Sequence, residues 1–320
     1  MGIMRTMAFD FASVTAPFRM QPGLRRLAAG APQLTPNRPG DRALREKLAV
    51  LSTYAPQALL ATPGFDARPA LQALNAQAAS EHPRAWSSDG PACVHAHQLG
   101  WSLRGPESEP QPDRDALPEV GTALRALPPE WRLPALLSLA FVEDFAIIDG
   151  TTAHTPWMAV CLPSGWAPEE KIGRHFAQVH APVADNQLLI AAADHLARLV
   201  TGHDRWERFV WTITRHPRLH AHPDRQDPAP WPADVSAEQL VRQAFFRTEH
   251  QTFIPLPDLK QAIFTIRVDL QPLAQALPDA AHAKQVHDAL ASMSPAVLAY
   301  RGLTDARDRL LAWLAMQAEA

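Results

Sequence analysis

Cysteine, glycine and tyrosine are scarce in this sequence, and long apolar runs are missing. Its 320 residues include two cysteines, Cys93 and Cys161, 14 glycines and two tyrosines. Two cysteines cannot build a thiolate zinc site or a disulfide framework, so a reducing cytoplasm is the expected compartment. Because no run of about 18 apolar residues occurs, we expect no membrane-spanning helix. Residues 1–14 contain no apolar stretch followed by a cleavage site, and no secretory signal is expected.

Charge and composition narrow the class of protein further. The net charge is −3, with 47% hydrophobic and 20% charged residues, as in a globular protein with a sizeable core. The sequence lacks the broad basic field that nucleic-acid binding requires, so we expect no nucleic-acid partner. The 31 prolines favour short elements joined by rigid connections.

The spacing of apolar residues predicts a mixture of helices and strands. Helices are predicted over residues 42–54, 70–79, 121–127, 187–200, 237–247, 281–293 and 295–320, and strands over 94–101, 157–162, 206–214 and 262–270. The most apolar run, residues 133–148, is predicted to be a helix that leads into a strand. This order predicts a compact α+β protein with a mostly antiparallel sheet over residues 91–270. A loop-rich and helical flank is expected over residues 1–90, and a helical flank over residues 271–320.

Residues 163–183, PSGWAPEEKIGRHFAQVHAPV, contain several residues close together that could bind a ligand or a metal. A proline and two glutamates predict a helix that begins near Pro168 and ends before Pro182. Lys171 and Arg174, three residues apart, would share a helix face and could bind an anion. His180, at the helix end, could coordinate a metal. The alternative interpretation is a solvated face with an ordinary histidine.

Two further groups of polar residues have an uncertain environment. We predict that Glu143 and Asp144, which interrupt an apolar run, point into solvent; if they are buried, they need a cation such as Arg174 or Arg267. Polar side chains also alternate in residues 245–253, FFRTEHQTF. In a strand, Arg247, Glu249 and Gln251 would share one face and could form a pocket wall, and the alternative is an edge strand with a wet face.

Histidine clusters offer other metal-binding candidates. His95 and His97 would share a face of one strand, although two ligands are weak evidence for a metal site. His216, His220 and His222 look like a metal cluster, but neighbouring prolines prevent a regular helix there, so we predict a solvated loop.

Segment 163–183 resembles the defining segment of the haem-dependent oxidative N-demethylase family, the haem-bearing alpha subunit related to dimethylamine monooxygenases. Five other segments resemble family segments in the same order: PFRMQPGL, VEDFAII, FFRTEHQTF, AIFTIRVDL and AYRG. The resemblance extends over about residues 17–303.

This resemblance implies a PAS-like antiparallel sheet that encloses haem b, within residues 91–270. Family members use dioxygen to oxidise a small secondary amine, such as dimethylamine, to a primary amine and formaldehyde. Electrons come from NADPH through a separate reductase that carries FMN and a 2Fe-2S cluster, in agreement with the lack of a dinucleotide-binding loop in this sequence. The alternatives are a non-catalytic haem-binding sensor or carrier of the same fold, and a histidine-bound metal protein.

The resemblance also implies roles for individual residues. His180 is the expected axial ligand of the iron, and Lys171 and Arg174 would neutralise the haem propionates. Arg247, Glu249 and Gln251 would line the pocket, where Glu249 could pair with the ammonium group of the substrate or with an arginine.

The sequence departs from the family pattern at several positions. Val142 replaces a glutamine, Val210 an asparagine, His175 a proline and His250 an arginine. His175 and His250 thereby become rival iron ligands, and Arg267 is a further residue that could contact the cofactor.

Overall fold

The computed structural model describes residues 9–90, 93–104, 109–113, 115–227 and 229–319. Residues 1–8, part of the segment in which no secretory signal is expected, lie outside this range. The strands are β1 (Arg25–Arg26), β2 (Leu59–Ala61), β3 (Trp86–Ser88), β4 (Cys93–Ala96), β5 (Trp101–Arg104), β6 (Glu109–Pro112), β7 (Asp144–Asp149), β8 (Trp157–Ala159), β9 (Trp206–Thr214), β10 (Phe245–Leu256) and β11 (Gln261–Pro272).

Helices precede, interrupt and follow these strands. They are α1 (Arg42–Ala58), α2 (Arg68–Glu81), α3 (Pro118–Arg125), α4 (Pro129–Ala140), α5 (Phe176–His180), α6 (Gln187–Ala191), α7 (Ala193–Val200), α8 (Ala237–Val241), α9 (Leu273–Ala276), α10 (Ala280–Ala291), α11 (Pro295–Tyr300) and α12 (Arg307–Ala318). Among the described residues, no helix combines the length and the apolar character needed to cross a membrane.

Two antiparallel sheets organise the chain. The larger has seven strands in the order β1-β9-β10-β11-β7-β8-β2, and the smaller has the order β3-β4-β5-β6. The long strands β9, β10 and β11 form the middle of the larger sheet, with Glu249 of β10 opposite Val210 of β9 and Val268 of β11. The α+β prediction is confirmed. The larger sheet takes β1 and β2 from residues 1–90, which we expected to be a helical flank.

The apolar core has two main parts. Helices α1 to α4 and the smaller sheet pack with strands β7, β8 and β11 around large buried side chains such as Trp86, Phe141 and Phe145. Helices α8 and α10 to α12 pack against β9 and β10 around Trp211, Phe246 and other apolar residues. The sheet is therefore covered by both terminal groups of helices, which bury apolar area and stabilise the fold.

Several predicted elements are confirmed, and others are shorter or divided. A helix leads into a strand over residues 133–148, and β9 covers residues 206–214 as predicted. The helix predicted over residues 187–200 is broken at Ala192, whose backbone leaves the helical conformation between α6 and α7. The helix predicted over 237–247 ends at Val241, because the long strand β10 begins at Phe245.

Glu143 and Asp144 are buried, so the prediction that they point into solvent is wrong. Asp144 is fully buried and forms an ion pair with Lys47 of α1, with 3.1 Å between Nζ and Oδ1. The Glu143 carboxylate accepts a hydrogen bond of 2.8 Å from the Thr35 N–H. Burial raises the pKa of Glu143, and the charge of Arg267 and the Thr35 hydrogen bond oppose this shift. Lys47 supplies the cation that the buried Asp144 requires, and the charge of Arg267 acts on Glu143, as expected for one of the two cations named from the sequence.

Candidate functional site

Segment 163–183 is not the single helix that its sequence predicts. Residues Pro168–Glu170 form one turn of 3-10 helix, and helix α5 begins only at Phe176. Gly173 lies between them with a φ of +68°, a left-handed conformation that ends the first turn. His175 then caps α5, since its ring nitrogen accepts from the Ala177 N–H and its backbone N–H donates to the Gln178 side chain. Gly173 and the cap at His175 are the reason why the 3-10 turn does not continue into α5.

The break separates the two cations of the segment. The Lys171 ammonium group donates to the Val179 carbonyl at 3.1 Å and lies 5.3 Å from the centre of the Trp166 ring. Burial lowers the pKa of Lys171, and the charges of Glu170 and Glu249 oppose this. Arg174 is exposed. The two side chains therefore do not share a helix face, and the charge of Glu249 acts on Lys171.

His180 lies at the end of α5 and presents one ring nitrogen without a partner among the described residues. Its Nδ1 is 2.8 Å from the Phe176 carbonyl oxygen, and its ring stacks on the Phe176 ring at 4.0 Å. Because a carbonyl only accepts hydrogen bonds, Nδ1 carries the proton and Nε2 has a free lone pair. Burial lowers the pKa of His180 to about 4, assisted by the positive charges of Arg208 and Lys171. The imidazole is neutral at pH 7, the form that binds metals.

The polar triplet of β10 lies on one sheet face, as predicted for a strand. Arg247, Glu249 and Gln251 stand opposite Thr212, Val210 and Arg208 of β9 in the register of the sheet. Directly opposed residues of antiparallel strands share a face. The Gln251 amide donates a hydrogen bond to the Glu249 carboxylate, and Glu249 is buried. This face therefore carries a buried carboxylate beside a half-buried arginine, Arg208, of the next strand.

Arg208 is the residue of this site that sequence analysis missed. Its Nε is buried and has no hydrogen-bond partner in the described part of the chain. Burial lowers the pKa of Arg208, and the charge of Glu249 opposes this. The signal was present in the strand pattern of residues 206–214, because Phe209, Trp211 and Ile213 on one face leave Arg208 on the other.

Arg247 holds segment 163–183 against the sheet. Its guanidinium group donates to the Ser164 hydroxyl at 2.8 Å, and to the carbonyls of Pro163, Arg218 and Leu219 at 3.2, 3.0 and 2.6 Å. Burial lowers the pKa of Arg247 to about 10, while the charge of Glu249 opposes this. The side chain connects three parts of the chain, whereas the other two members of the triplet, Glu249 and Gln251, are hydrogen-bonded to each other.

Arg267 and His250 lie on the opposite face of the sheet from Glu249. They are register partners on β11 and β10. The His250 Nε2 lies 2.7 Å from a carboxylate oxygen of Glu207, and Arg267 donates to the Thr35 hydroxyl at 3.1 Å. The alternation of side chains along a strand therefore separates both residues from His180 and its neighbours.

The other rival ligand, His175, has both ring nitrogens occupied. Nδ1 accepts from the Ala177 N–H, and Nε2 lies 2.9 Å from a carboxylate oxygen of Asp194. Of the three candidate iron ligands, His180 is thus the one whose Nε2 has no hydrogen-bond partner among the described residues.

The predicted solvated loop around His216 is buried, so that prediction is wrong. His216, His220 and His222 are at most 8% exposed. Their ring nitrogens lie 2.9 Å from the His220 carbonyl, 2.7 Å from the Cys161 carbonyl and 3.0 Å from the Glu169 carboxylate, respectively. Within the described ranges these three imidazoles do not converge on one point, as a metal site would require. His220 instead joins the loop to Cys161, and His222 joins it to Glu169 of segment 163–183.

A family model described as haem-dependent oxidative N-demethylase, alpha subunit-like, matches residues 123–311. This match covers more than half of the chain. The chain belongs to this family. The resemblance inferred from the sequence is thereby confirmed, and the matched range includes His180, Arg208 and Glu249. The family name states a dependence on haem, and two features of the site fit that group: a neutral imidazole with a free Nε2, and an arginine whose buried Nε has no partner among the described residues.

Proposed function

We propose that this member of the haem-dependent oxidative N-demethylase family binds haem b beside the sheet face that carries Glu249, in a PAS-like arrangement covered by segment 163–183. It oxidises a small secondary amine such as dimethylamine to a primary amine and formaldehyde. The observation that carries this proposal is His180, whose neutral ring is oriented by a carbonyl so that Nε2 is free. A histidine that donates its other ring N–H to a carbonyl is the usual form of a metal ligand.

Apolar and cationic side chains beside His180 suit the two parts of a haem. Trp166 and Ile172 of the segment pack with Ala146, Met158 and Val160 of the sheet region, and we assign the contact with the apolar ring of the haem to this cluster. Arg208 and Lys171 supply positive charge for the propionate carboxylates. A charged group in an apolar site needs such a partner, and arginine binds carboxylates with two parallel hydrogen bonds.

Glu249 and Gln251 are the groups we assign to the amine. A small secondary amine is protonated at neutral pH, and its N–H groups can donate to the buried Glu249 carboxylate. Gln251 donates to the same carboxylate and fixes its orientation. When bound, haem would supply the activation of dioxygen that the oxidation of an N-methyl group requires. The protein residues hold the amine, exclude water and keep the imidazole of His180 in its neutral form.

Partner proteins supply the electrons in this proposal. The family is described as alpha subunit-like, which suggests an oxygenase of several subunits. We propose that NADPH is oxidised by a separate reductase with FMN and a 2Fe-2S cluster, because the sequence contains neither a dinucleotide-binding loop nor a set of cysteines for such a cluster.

The haem spectrum of His180→Ala tests the proposal. The purified chain should take up haem with an intense Soret band, and His180→Ala should change the position and intensity of that band in the oxidised and dithionite-reduced states. Imidazole added to the variant should restore part of the wild-type spectrum, because it replaces the missing ligand. Formaldehyde release from dimethylamine, with NADPH and a reductase of the stated type, then tests turnover.

Two matched variants serve as controls. His250→Ala and His175→Ala remove histidines that are hydrogen-bonded elsewhere, and both should retain the wild-type Soret band. A chain that takes up no haem, or a spectrum that changes in a control variant but not in His180→Ala, would contradict the ligand assignment. Normal haem binding without formaldehyde release would favour the sensor or carrier alternative.

A further inference from the structure

The end of the smaller sheet gathers three potential metal ligands, far from segment 163–183 in the sequence. Asp89, Cys93 and His95 place one carboxylate oxygen, one sulfur and one ring nitrogen within 4.8 Å of one another. The His95 Nε2 lies 3.1 Å from Oδ2 of Asp89 and 3.3 Å from Sγ of Cys93. Cys93 and His95 are two residues apart on β4, so both side chains leave the same face of the strand.

These separations are close to those around a bound metal ion. A tetrahedral zinc ion with bonds of about 2.0–2.3 Å holds neighbouring nitrogen and oxygen atoms about 3.3 Å apart, and nitrogen and sulfur atoms about 3.6 Å apart. The observed distances of 3.1 and 3.3 Å are shorter than these values by a few tenths of an ångström. Small rotations of the side chains would therefore complete the geometry.

Hydrogen bonding alone satisfies this group poorly. His95 has its Nδ1 2.8 Å from the hydroxyl of the fully buried Ser102, which fixes the ring orientation. The single remaining nitrogen faces both a carboxylate and a thiol. As a donor it cannot accept from the thiol, and as an acceptor it cannot donate to the carboxylate. A cation at this point would be bound by all three groups.

The backbone around the ligands is held in place. The Asp89 N–H donates to the Cys93 carbonyl at 2.9 Å, and the Ser88 hydroxyl donates to the Gly90 carbonyl at 2.7 Å. Ser102 orients the imidazole from the next strand, as residues behind metal ligands commonly do.

We infer that Asp89, Cys93 and His95 form a binding site for a divalent metal ion of the zinc class, with a fourth position open to water. One thiolate, one imidazole and one carboxylate are ligands that Zn²⁺ accepts, and three protein ligands with an open position are a known zinc arrangement. The two cysteines exclude an all-thiolate zinc site, but a mixed set of this kind needs only one of them, and it is independent of haem binding.

Protection of Cys93 from alkylation tests this inference. The full-length chain is treated with iodoacetamide at increasing ZnCl₂ concentrations, and modification of each cysteine is followed by mass spectrometry. Zn²⁺ should slow the modification of Cys93, and EDTA should reverse this. Cys161 is fully buried and serves as an internal control for the folded state.

Variants then show whether all three side chains bind the metal ion. The ZnCl₂ concentration for half-protection should rise at least about tenfold in His95→Gln and in Asp89→Asn, and about tenfold in Ser102→Ala, which leaves all three ligands in place. His282→Gln is the matched control, because His282 and Asp279 form a carboxylate–imidazole pair at 2.7 Å without a thiol. It should not change the protection.

Two results would overturn the inference. One is equal modification of Cys93 with and without ZnCl₂ in the wild-type chain. The other is an unchanged ZnCl₂ concentration for half-protection in both His95→Gln and Asp89→Asn, which would mean that the thiol alone binds the ion. Both readouts are independent of haem uptake and formaldehyde release.

Discussion

Replacing Lys47 by methionine should strongly destabilise the fold. The ammonium group of Lys47 is fully buried, and it contacts the Asp144 carboxylate at 3.1 Å and the carbonyls of Phe141 and Glu143 at 3.2 and 2.6 Å. Methionine fills a similar volume, so the main effect is the loss of the charge. Asp144 would retain the hydrogen bond from the Leu162 N–H at 2.6 Å but would lose its ion-pair partner.

The expected cost follows from this geometry. Removal of one partner from a buried ion pair typically lowers the free energy of unfolding by about 3–5 kcal/mol, because the other charge remains buried without compensation. Lys47→Met should fall in this range, measured by urea unfolding with tryptophan fluorescence. The double variant Lys47→Met/Asp144→Asn should recover at least half of the loss, since asparagine is neutral and can still accept from Leu162.

The double-mutant cycle decides whether the pair is responsible. A cost below about 1 kcal/mol for Lys47→Met, or a double variant whose loss equals the sum of the two single losses, would refute the reasoning. The exposed pair Lys284–Asp288 is the matched control, with the same charges at 2.7 Å on a helix surface. Lys284→Met should change the free energy of unfolding by less than about 0.5 kcal/mol.

Three further predictions concern the site and its surroundings. Arg208→Leu should weaken haem binding by about 1.5–3 kcal/mol in a Soret titration, the usual worth of a hydrogen bond to a charged group, whereas Arg174→Leu should not. Glu249→Gln should retain the haem spectrum but lower kcat/KM for the amine about tenfold to a hundredfold, measured by formaldehyde release. Burial raises the pKa of Glu143 above its ordinary value of 4.5. The folded state therefore binds the proton of Glu143 more tightly than the unfolded state. The stabilisation from this proton is complete below pH 4.5 and is lost as the pH rises through the folded-state pKa. Urea unfolding should therefore show the wild-type chain losing stability relative to Glu143→Gln above pH 4.5.

Strand assignments from the sequence succeeded where alternation was long and regular. Residues 206–214 and 262–270 alternate over many positions, and β9 and β11 include both segments. The face shared by Arg247, Glu249 and Gln251 followed from the same alternation. These features depend on neighbours in the sequence, so the sequence was sufficient to predict them.

Features that depend on distant contacts could not be predicted in this way. Leu44, Leu48 and Leu51 have helical spacing and mark the buried side of α1. Lys47 lies on the same side, although a lysine is normally expected at the surface. Nothing local showed that it would meet Asp144, which is 97 positions later in the chain. The burial of the histidine loop likewise depends on partners that are distant in the sequence. His220 contacts the Cys161 carbonyl, and His222 contacts the Glu169 carboxylate.

The break in segment 163–183 had a local cause that the helical pattern concealed. Gly173 and the His175–Gln178 cap are both visible in the sequence, yet the apolar spacing of Ile172, Phe176 and Val179 favoured a continuous helix. A glycine two residues before a capping residue is a stronger signal of a helix break than the apolar spacing around it is of a continuous helix.

The position of His180 depends on how the start of its segment is attached to the sheet. Two buried charges make that attachment: Asp144 accepts from the Leu162 N–H, and Arg247 donates to Pro163 and Ser164. Asp144 in turn requires Lys47. The stability of the α1–sheet contact and the placement of the proposed iron ligand are therefore connected through one chain of buried polar contacts. For that reason Lys47→Met should also weaken haem uptake, while His180→Ala, at the far end of the segment, should leave the Lys47–Asp144 coupling energy unchanged.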